Sequence, residues 1–251
     1  MNAPFRPVFT ILRMAELHDP AECARIERFL SSHADATVFH TPRWLAAVEA
    51  GTGQLGLGLL AERDGEVAGW LPLTEVHSPL FGRVLASAGF AVEGGAIAVD
   101  DQTALRLCSA AEELAGKLSC TGIELRGGIA PSHWLSRQDS HCGFVRKLAP
   151  DDDTELLAIP RKQRAEVRKG LANELEVSVG RDAQARAEHY AIYAQSVRNL
   201  GTPVFPRSLF DAVLDRLDSD ILTVSSNGRP VASVLSLYHR GAVLPYLGGG
   251  V

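Results

Sequence analysis

The apolar positions along this chain switch repeatedly between the spacing of strands and that of helices. Val8 to Met14 is apolar and β-branched enough for a strand. Pro20 to Leu30 reads as a helix, with Ala21, Ala24 and Phe29 available to face a core. His40-Thr41-Pro42 opens another helix: Thr41 can cap it, and Pro42 sits in the first turn, where its missing N–H costs nothing. Trp44, Leu45 and Val48 fall at helical spacing, and Gly51 is the expected end. Leu57 to Ala61 and Val67 to Val76 are strands joined across Asp64-Gly65, a hairpin signal because both residues tolerate positive φ. Val84 to Phe90 is a further strand. Ala104 to Leu118 is a helix with Leu105, Cys108, Ala111, Leu114 and Ala115 on one face. Ile123 to Leu125 and Phe144 to Leu148 are the strands expected to close this part.

A polar break at Asp151-Asp152-Asp153 follows Pro150, then a short helix and a basic run from Pro160 to Lys169. Ala183 to Asn199 is a long helix, with Ala187, Tyr190, Ala191, Ala194 and Val197 as its buried stripe. A turn at Gly201-Thr202-Pro203 leads to a helix from Pro206 to Leu217. Ile221 to Ser225 and Val231 to Tyr238 form a second hairpin around Asn227-Gly228, and Ala242 to Leu247 is a last strand before Gly248-Gly249-Gly250.

This second half repeats the first. Adding 164 carries Pro42, Arg43 and Leu45 onto Pro206, Arg207 and Leu209; Val67 and Ala68 onto Val231 and Ala232; Leu71 and Leu73 onto Leu235 and Leu237. The identities are few, but the spacing of helix and hairpin is preserved without a gap. The expectation is a mixed α/β protein of two homologous domains, residues 1–150 and 151–251, with mostly antiparallel sheets flanked by helices. The second copy is expected to be truncated, since it has only Gly241 to Val251 where the first runs on through a helix and more strands.

Composition narrows the class. Hydrophobic residues make up 46% and charged residues 22%, as in an ordinary globular chain. The net charge of −5 argues against a surface that binds DNA as a whole, though not against a local basic patch. No stretch approaches the ~20 apolar residues that span a membrane, and the N-terminus has no apolar signal region, so the expected compartment is the cytoplasm. Cys23, Cys108, Cys120 and Cys142 form no C-x-x-C pair and read as reduced, mostly buried thiols. The eight histidines include no H-x-x-x-H or H-E-x-x-H, and no serine sits in G-x-S-x-G, which argues against metalloenzyme and hydrolase readings.

The basic run is the leading candidate for chemistry. With Pro160 opening a helix, Arg161, Arg164 and Arg168 share one face, flanked by Lys162 and Lys169. Arginine forks and a helix N-terminus suit phosphate oxygens. A nucleotide-sugar diphosphate, a lipid diphosphate or a tRNA backbone would each fit; so would a solvated face paired with Asp151 to Asp153. Arg198, Asn199 and Thr202 sit where a helix ends; Asn199 and Gly201 can simply terminate it, whereas Arg198 and Thr202 are not needed for that. Gly248, Gly249 and Gly250 allow close approach of a ligand or of another backbone.

Three segments carry a family resemblance: Ala158-Ile159-Pro160-Arg161-Lys162-Gln163-Arg164, the run Ser196 to Pro206, and Leu244-Pro245-Tyr246-Leu247-Gly248-Gly249-Gly250. They resemble the FemAB-related proteins, in particular the subgroup associated with exosortase/PEP-CTERM and exopolysaccharide systems, whose members carry a BioF2-like acetyltransferase domain. The resemblance covers nearly the whole chain from His40. It implies tandem GNAT-like domains and acyl or aminoacyl transfer to an amine or hydroxyl of a cell-envelope precursor, of peptidoglycan or exopolysaccharide. The implied partners are a phosphate-bearing precursor and aminoacyl-tRNA, with peripheral membrane association in reach. No bound cofactor is implied; the donor is aminoacyl-tRNA or acyl-CoA as co-substrate. In GNAT-like folds the strand of Tyr246 lies at the acyl-transfer cleft, so the resemblance makes Tyr246 the candidate catalytic hydrogen-bond or proton donor. The R/Q-x-x-G-x-G/A loop of acetyl-CoA-using relatives has no counterpart here, and the helix beginning near Asp100-Asp101 would repel a diphosphate. The competing reading is a non-catalytic binding module, or an inactive truncated fragment of such a transferase.

Overall fold

The computed structural model describes residues 10–80, 82–137 and 141–251. By its contacts the chain divides into two compact units. One comprises the chain up to Trp134 with Pro203–Asp220 and Ser236–Tyr246; the other comprises Leu135–Thr202, Ile221–Leu235 and Leu247–Val251.

The chain begins with β1 (Thr10–Met14), α1 (Pro20–Ser31) and α2 (Pro42–Thr52). Next come β2 (Leu55–Arg63), β3 (Glu66–Ser78), β4 (Gly82–Ser87), a two-residue β5 (Ile97–Ala98), α3 (Asp101–Lys117) and β6 (Gly122–Glu124). Their sheet has the order β1-β2-β3-β4-β6, with β5 on β3; only the β4–β6 ladder is parallel. Then follow α4 (Asp152–Ala158), α5 (Arg161–Ala172), β7 (Leu175–Gly180), α6 (Ala183–Asn199) and α7 (Arg207–Arg216). β8 (Ser219–Ser226), β9 (Arg229–His239) and β10 (Ala242–Gly250) complete a second sheet of order β10-β9-β8-β7. The chain is thus a mixed α/β fold with two sheets flanked by helices.

The offset of 164 reaches further back than the identities that suggested it. Thr10 plus 164 falls one residue before β7, and Pro20 plus 164 falls inside α6. The order strand, helix, helix and three strands therefore occurs twice, as β1 to β4 and as β7 to β10. Both hairpin tips use the expected geometry: φ is 53° and 84° at Asp64 and Gly65, and 50° and 70° at Asn227 and Gly228.

The first sheet buries both faces. On one, Leu59, Ala61, Leu71, Leu73 and Leu85 pack against Ala104, Leu107, Ala111 and Ala115 of α3. On the other, Leu60 and Trp70 meet Ile26, Phe29 and Leu30 of α1 and Leu45 of α2. Each large side chain so buried contributes roughly 1.5–3 kcal/mol.

Several expectations are corrected. In α1 the inward residues are Glu22, Ile26, Phe29 and Leu30, while Ala21 and Ala24 are exposed. The rotation follows from Arg13 on β1, which bonds both oxygens of Glu22 and both of Glu62, so that a paired carboxylate is buried in place of a methyl. α2 runs past Gly51 and stops at Gly53, whose φ of 73° supplies the left-handed C-cap. The strand expected to reach Phe90 ends at Ser87, because Ala88 and Phe90 have φ of 39° and 62°. Phe144 to Leu148 forms no strand; Phe144 and Val145 are 92% and 100% exposed, so no ladder or core holds them. In α6 the buried residues are His189, Ile192 and Tyr193, while Ala187 and Ala191 are exposed, since a His189 Nδ1 hydrogen bond to Ser233 Oγ (2.7 Å) sets the helix rotation. β10 continues through the three glycines, and β7, where Leu175, Val177 and Val179 alternate with polar residues, was not expected. Cys142 is exposed, unlike the other three free thiols. Val8 and Phe9, the start of the first expected strand, lie outside the described residues.

Candidate active site

The basic helix α5 splits into two roles. Arg164 donates from Nε and Nη2 to Ile159 O (3.1 and 2.9 Å) and from Nη2 to Leu157 O (3.0 Å), closing the last carbonyls of α4. Lys169 pairs with Glu166 at 3.0 Å. Arg161, Lys162 and Arg168 are exposed and have no ion pair among the described residues. Asp151 is not their counterion: it caps α4 by accepting from Thr154 N (2.8 Å) and Thr154 Oγ1 (2.9 Å). Three cations on a solvated helix can therefore meet an anion without first breaking an internal pair.

In the same unit α6 starts at an Asp182 cap and ends at Leu200, with Gly201 at φ 72° and Thr202 N bonded to Val197 O (3.2 Å). Arg198, Asn199 and Thr202 are exposed. Helix α6 lies directly on β10: a Cβ on Gly249 would come within 2.8 Å of Ser196 Cβ and 3.2 Å of Ile192 O. The backbone that approaches Gly249 is therefore that of α6. Gly248 is exposed, with Ser233 O 3.3 Å from where its Cβ would be. The fold thus brings Gly249 against the helix that carries Arg198 and Asn199. Beneath α6, His189 is fully buried, and burial lowers its pKa to about 4.

Tyr246 belongs to the other unit. Its hydroxyl donates to the Phe90 carbonyl, and its ring packs on Phe39 and Trp44 with centroids 5.2 and 5.7 Å apart. The Phe90 carbonyl is one of three in succession that side chains hold. Trp44 Nε1 donates to Gly89 O (3.1 Å), and the Arg126 guanidinium donates to Ala91 O. Gly89 N in turn donates to Thr74 Oγ1 (2.9 Å), and a Cβ at Gly89 would fall 2.7 Å from Thr74 Cβ. Side chains from α2, β3, β10 and the segment after β6 thus fix a loop whose Ala88 and Phe90 have positive φ. Phe90 then packs edge-on against Phe205 at 5.4 Å. Trp44, Thr74, Phe90 and Arg126 were not among the expected site residues; the cluster Gly89, Gly94 and Gly95 was the available signal.

At the start of α3, Asp100 caps the helix by accepting from Thr103 N (2.7 Å) and pairs with Arg63 (2.9 Å); hydrogen bonding from the Thr103 hydroxyl first, then from its N–H and from Arg63, holds the carboxyl at about pKa 2. A diphosphate at this N-terminus would meet a fixed carboxylate. In the turn before α2, His40 accepts at Nδ1 from Thr37 N (3.1 Å), and burial lowers its pKa to about 4.

Residues 161–250 match the family model described as an acetyltransferase (GNAT) domain. Among solved structures, the crystal structure of FemX is similar with a TM-score of 0.60 and 15% identity, over 91% of this chain and 79% of that one. Two others are reported with it. A ribosomal-protein-alanine N-acetyltransferase from Brucella melitensis biovar Abortus 2308 gives 0.37 at 15% identity, over 55% of this chain and 100% of that one. A GNAT family acetyltransferase from Staphylococcus aureus gives 0.35 at 14% identity, over 55% and 98%. No curated protein matches the sequence. Residues 161–250 are thus similar to an acetyltransferase (GNAT) domain, and the chain as a whole shares its fold with FemX. Among the described residues no helix is long and apolar enough to cross a membrane, and no group of three or more His, Cys, Asp and Glu is placed to hold a metal ion.

Proposed function

We infer that this protein is a FemAB-type acyl or aminoacyl transferase acting on an amine or hydroxyl of a phosphate-bearing cell-envelope precursor, in peptidoglycan or exopolysaccharide synthesis. The observation that carries the reading is the acetyltransferase (GNAT) match over residues 161–250, in a chain that repeats one strand–helix–helix–three-strand order and has the fold of FemX. The repeat supports homologous domains at 1–150 and 151–251. In this reading Arg161, Lys162 and Arg168 bind acceptor phosphates, with Arg198 and Thr202 adding contacts, and Arg164 and Lys169 shape the basic helix. The exposed Gly248 lets the donor carbonyl approach β10, whose backbone orients the reactants, while Gly249 lets α6 lie close on the strand. Tyr246 serves as hydrogen-bond donor at the tetrahedral centre once its hydroxyl leaves Phe90. The Asp100 carboxylate at α3 favours aminoacyl-tRNA over acyl-CoA as the donor.

The test is transfer of label from radiolabelled aminoacyl-tRNA, and separately from acetyl-CoA, to a nucleotide-linked envelope precursor. Product from the tRNA supports the reading. Product from acetyl-CoA alone keeps the GNAT chemistry but overturns the FemAB donor. A second reading, a non-catalytic binding module, is favoured by exposed Val177 and Val179 on the edge strand β7 (63% and 61%). It is supported if neither donor is consumed while the precursor still binds.

A further inference from the structure

The first sheet ends in β1, which has no strand on its outer side among the described residues. Ala15 N bonds Gly58 O on β2 at 2.9 Å, and the alternation of an antiparallel ladder then turns the N–H groups of Leu12 and Met14 outward. Along this edge, between β1 and α3, runs a groove of about 430 Å³. Its floor is Leu12, Leu59 and Leu114, and Met14 lies at one end. Arg106 and Lys117 line it from α3; both are exposed and have no hydrogen bond or ion pair among the described residues. Glu113 is the acidic residue of the lining.

The two cations are eleven residues apart on one helix, which spaces them by roughly 16 Å. A five-residue strand is about 17 Å long. We propose that this groove binds an extended segment of a partner protein with an apolar centre and an acidic residue at each end, added as a strand to the edge of β1. Main-chain hydrogen bonds to β1 supply affinity, an apolar side chain enters between Leu12 and Leu114, and the terminal carboxylates meet Arg106 and Lys117. An anionic partner suits a lining in which unpaired cations outnumber the acid.

The experiment uses the full chain and a fluorescent peptide of sequence Glu-Thr-Val-Thr-Glu, blocked at both ends, in which strand alternation puts both carboxylates and the valine on one face. Fluorescence anisotropy is expected to show saturable binding, weakened about tenfold by Arg106→Glu with Lys117→Glu. Hydrogen exchange at the Leu12 and Met14 amides is expected to slow on binding. Both substitutions are at exposed, unpaired positions, so circular dichroism of the variant should match the parent. Binding that survives the double charge reversal, equal binding of Lys-Thr-Val-Thr-Lys, or unchanged exchange at β1 each overturns the proposal. So does a stable dimer broken by the same substitutions, which would make a second copy the occupant. Transferase activity does not enter any of these readings.

Discussion

Gly51 and Leu209 touch backbone to backbone. A Cβ on Gly51 would lie 2.5 Å from Leu209 Cα and 2.9 Å from Leu209 N, and Ser208 Oγ donates to the Gly51 carbonyl. The two residues belong to α2 and α7, the helices that the 164-residue repeat makes equivalent. The glycine is needed for the closeness of that crossing rather than for helix termination.

Gly51→Ala should therefore destabilise the protein by about 1–3 kcal/mol through overpacking, despite the better helix propensity of alanine. Denaturant melts of this variant and of Gly53→Ala separate two causes. At Gly53 nothing lies within 4 Å, and any loss there comes from its left-handed φ. An unchanged midpoint for Gly51→Ala would contradict the close crossing.

Tyr246→Phe keeps the rings on Phe39 and Trp44 but removes the hydroxyl from the Phe90 carbonyl. A loss of about 1–2 kcal/mol in stability is expected. A catalytic role adds a second signature: the turnover rate should fall well beyond what the unfolded fraction explains, with the acceptor KM little changed. Stability loss without that rate effect assigns the hydroxyl to the loop alone.

Stability should fall as the medium is acidified from about pH 6.5 to pH 4. His40 and His189 are buried, and both have folded pKa values of about 4, below the 6.5 of an unperturbed histidine. Between those values the unfolded chain binds more protons, so stability is complete above the upper value and is lost as pH falls through the window. Each contributes on the order of 3 kcal/mol. Urea melts across this range for His40→Gln and His189→Gln should show a shallower acid slope than the parent; an equal slope in both would rule out these two groups as its source.

The basic helix allows its two roles to be pulled apart. Arg161→Glu with Arg168→Glu should leave thermal stability within about 0.5 kcal/mol of the parent, because both side chains are exposed and unpaired. Binding of a nucleoside diphosphate sugar, followed by calorimetry, should weaken about tenfold. Arg164→Ala should do the reverse, releasing the Leu157 and Ile159 carbonyls and lowering stability. Unchanged affinity in the first variant would remove the phosphate site from α5.

Local rules were enough wherever the deciding atoms lie within a few residues of one another. The Asp64-Gly65 and Asn227-Gly228 turns, the Thr41 cap and the apolar stripe of α2 follow from such rules, and each was legible. Helix rotation was not. Placing Ala21 and Ala24 inward in α1 failed because Arg13, held on β1 beside Glu62 of β2, captures Glu22. The stripe assigned to α6 failed for a like reason, since Ser233 on β9 draws His189 inward.

The candidate site divides along the same line. Arg161, Arg164 and Arg168 could be read as one basic face from their spacing alone. That Arg164 is committed to the Leu157 and Ile159 carbonyls at the end of α4 depends on how the chain folds back before Pro160. Tyr246 could be named from the sequence, but its bond to Phe90 is made across 156 positions, within a loop that Trp44 and Arg126 also hold.

Short-range patterns were enough for the order of most elements, the hairpin tips, the Thr41 cap and the existence of the repeat, because periodicity and turn chemistry act over a few residues. Tertiary structure decided that the repeat extends back to β1 and β7, that α2 and α7 cross at Gly51, and which polar groups are buried. Those outcomes depend on pairing between residues far apart in the chain, which no local pattern records.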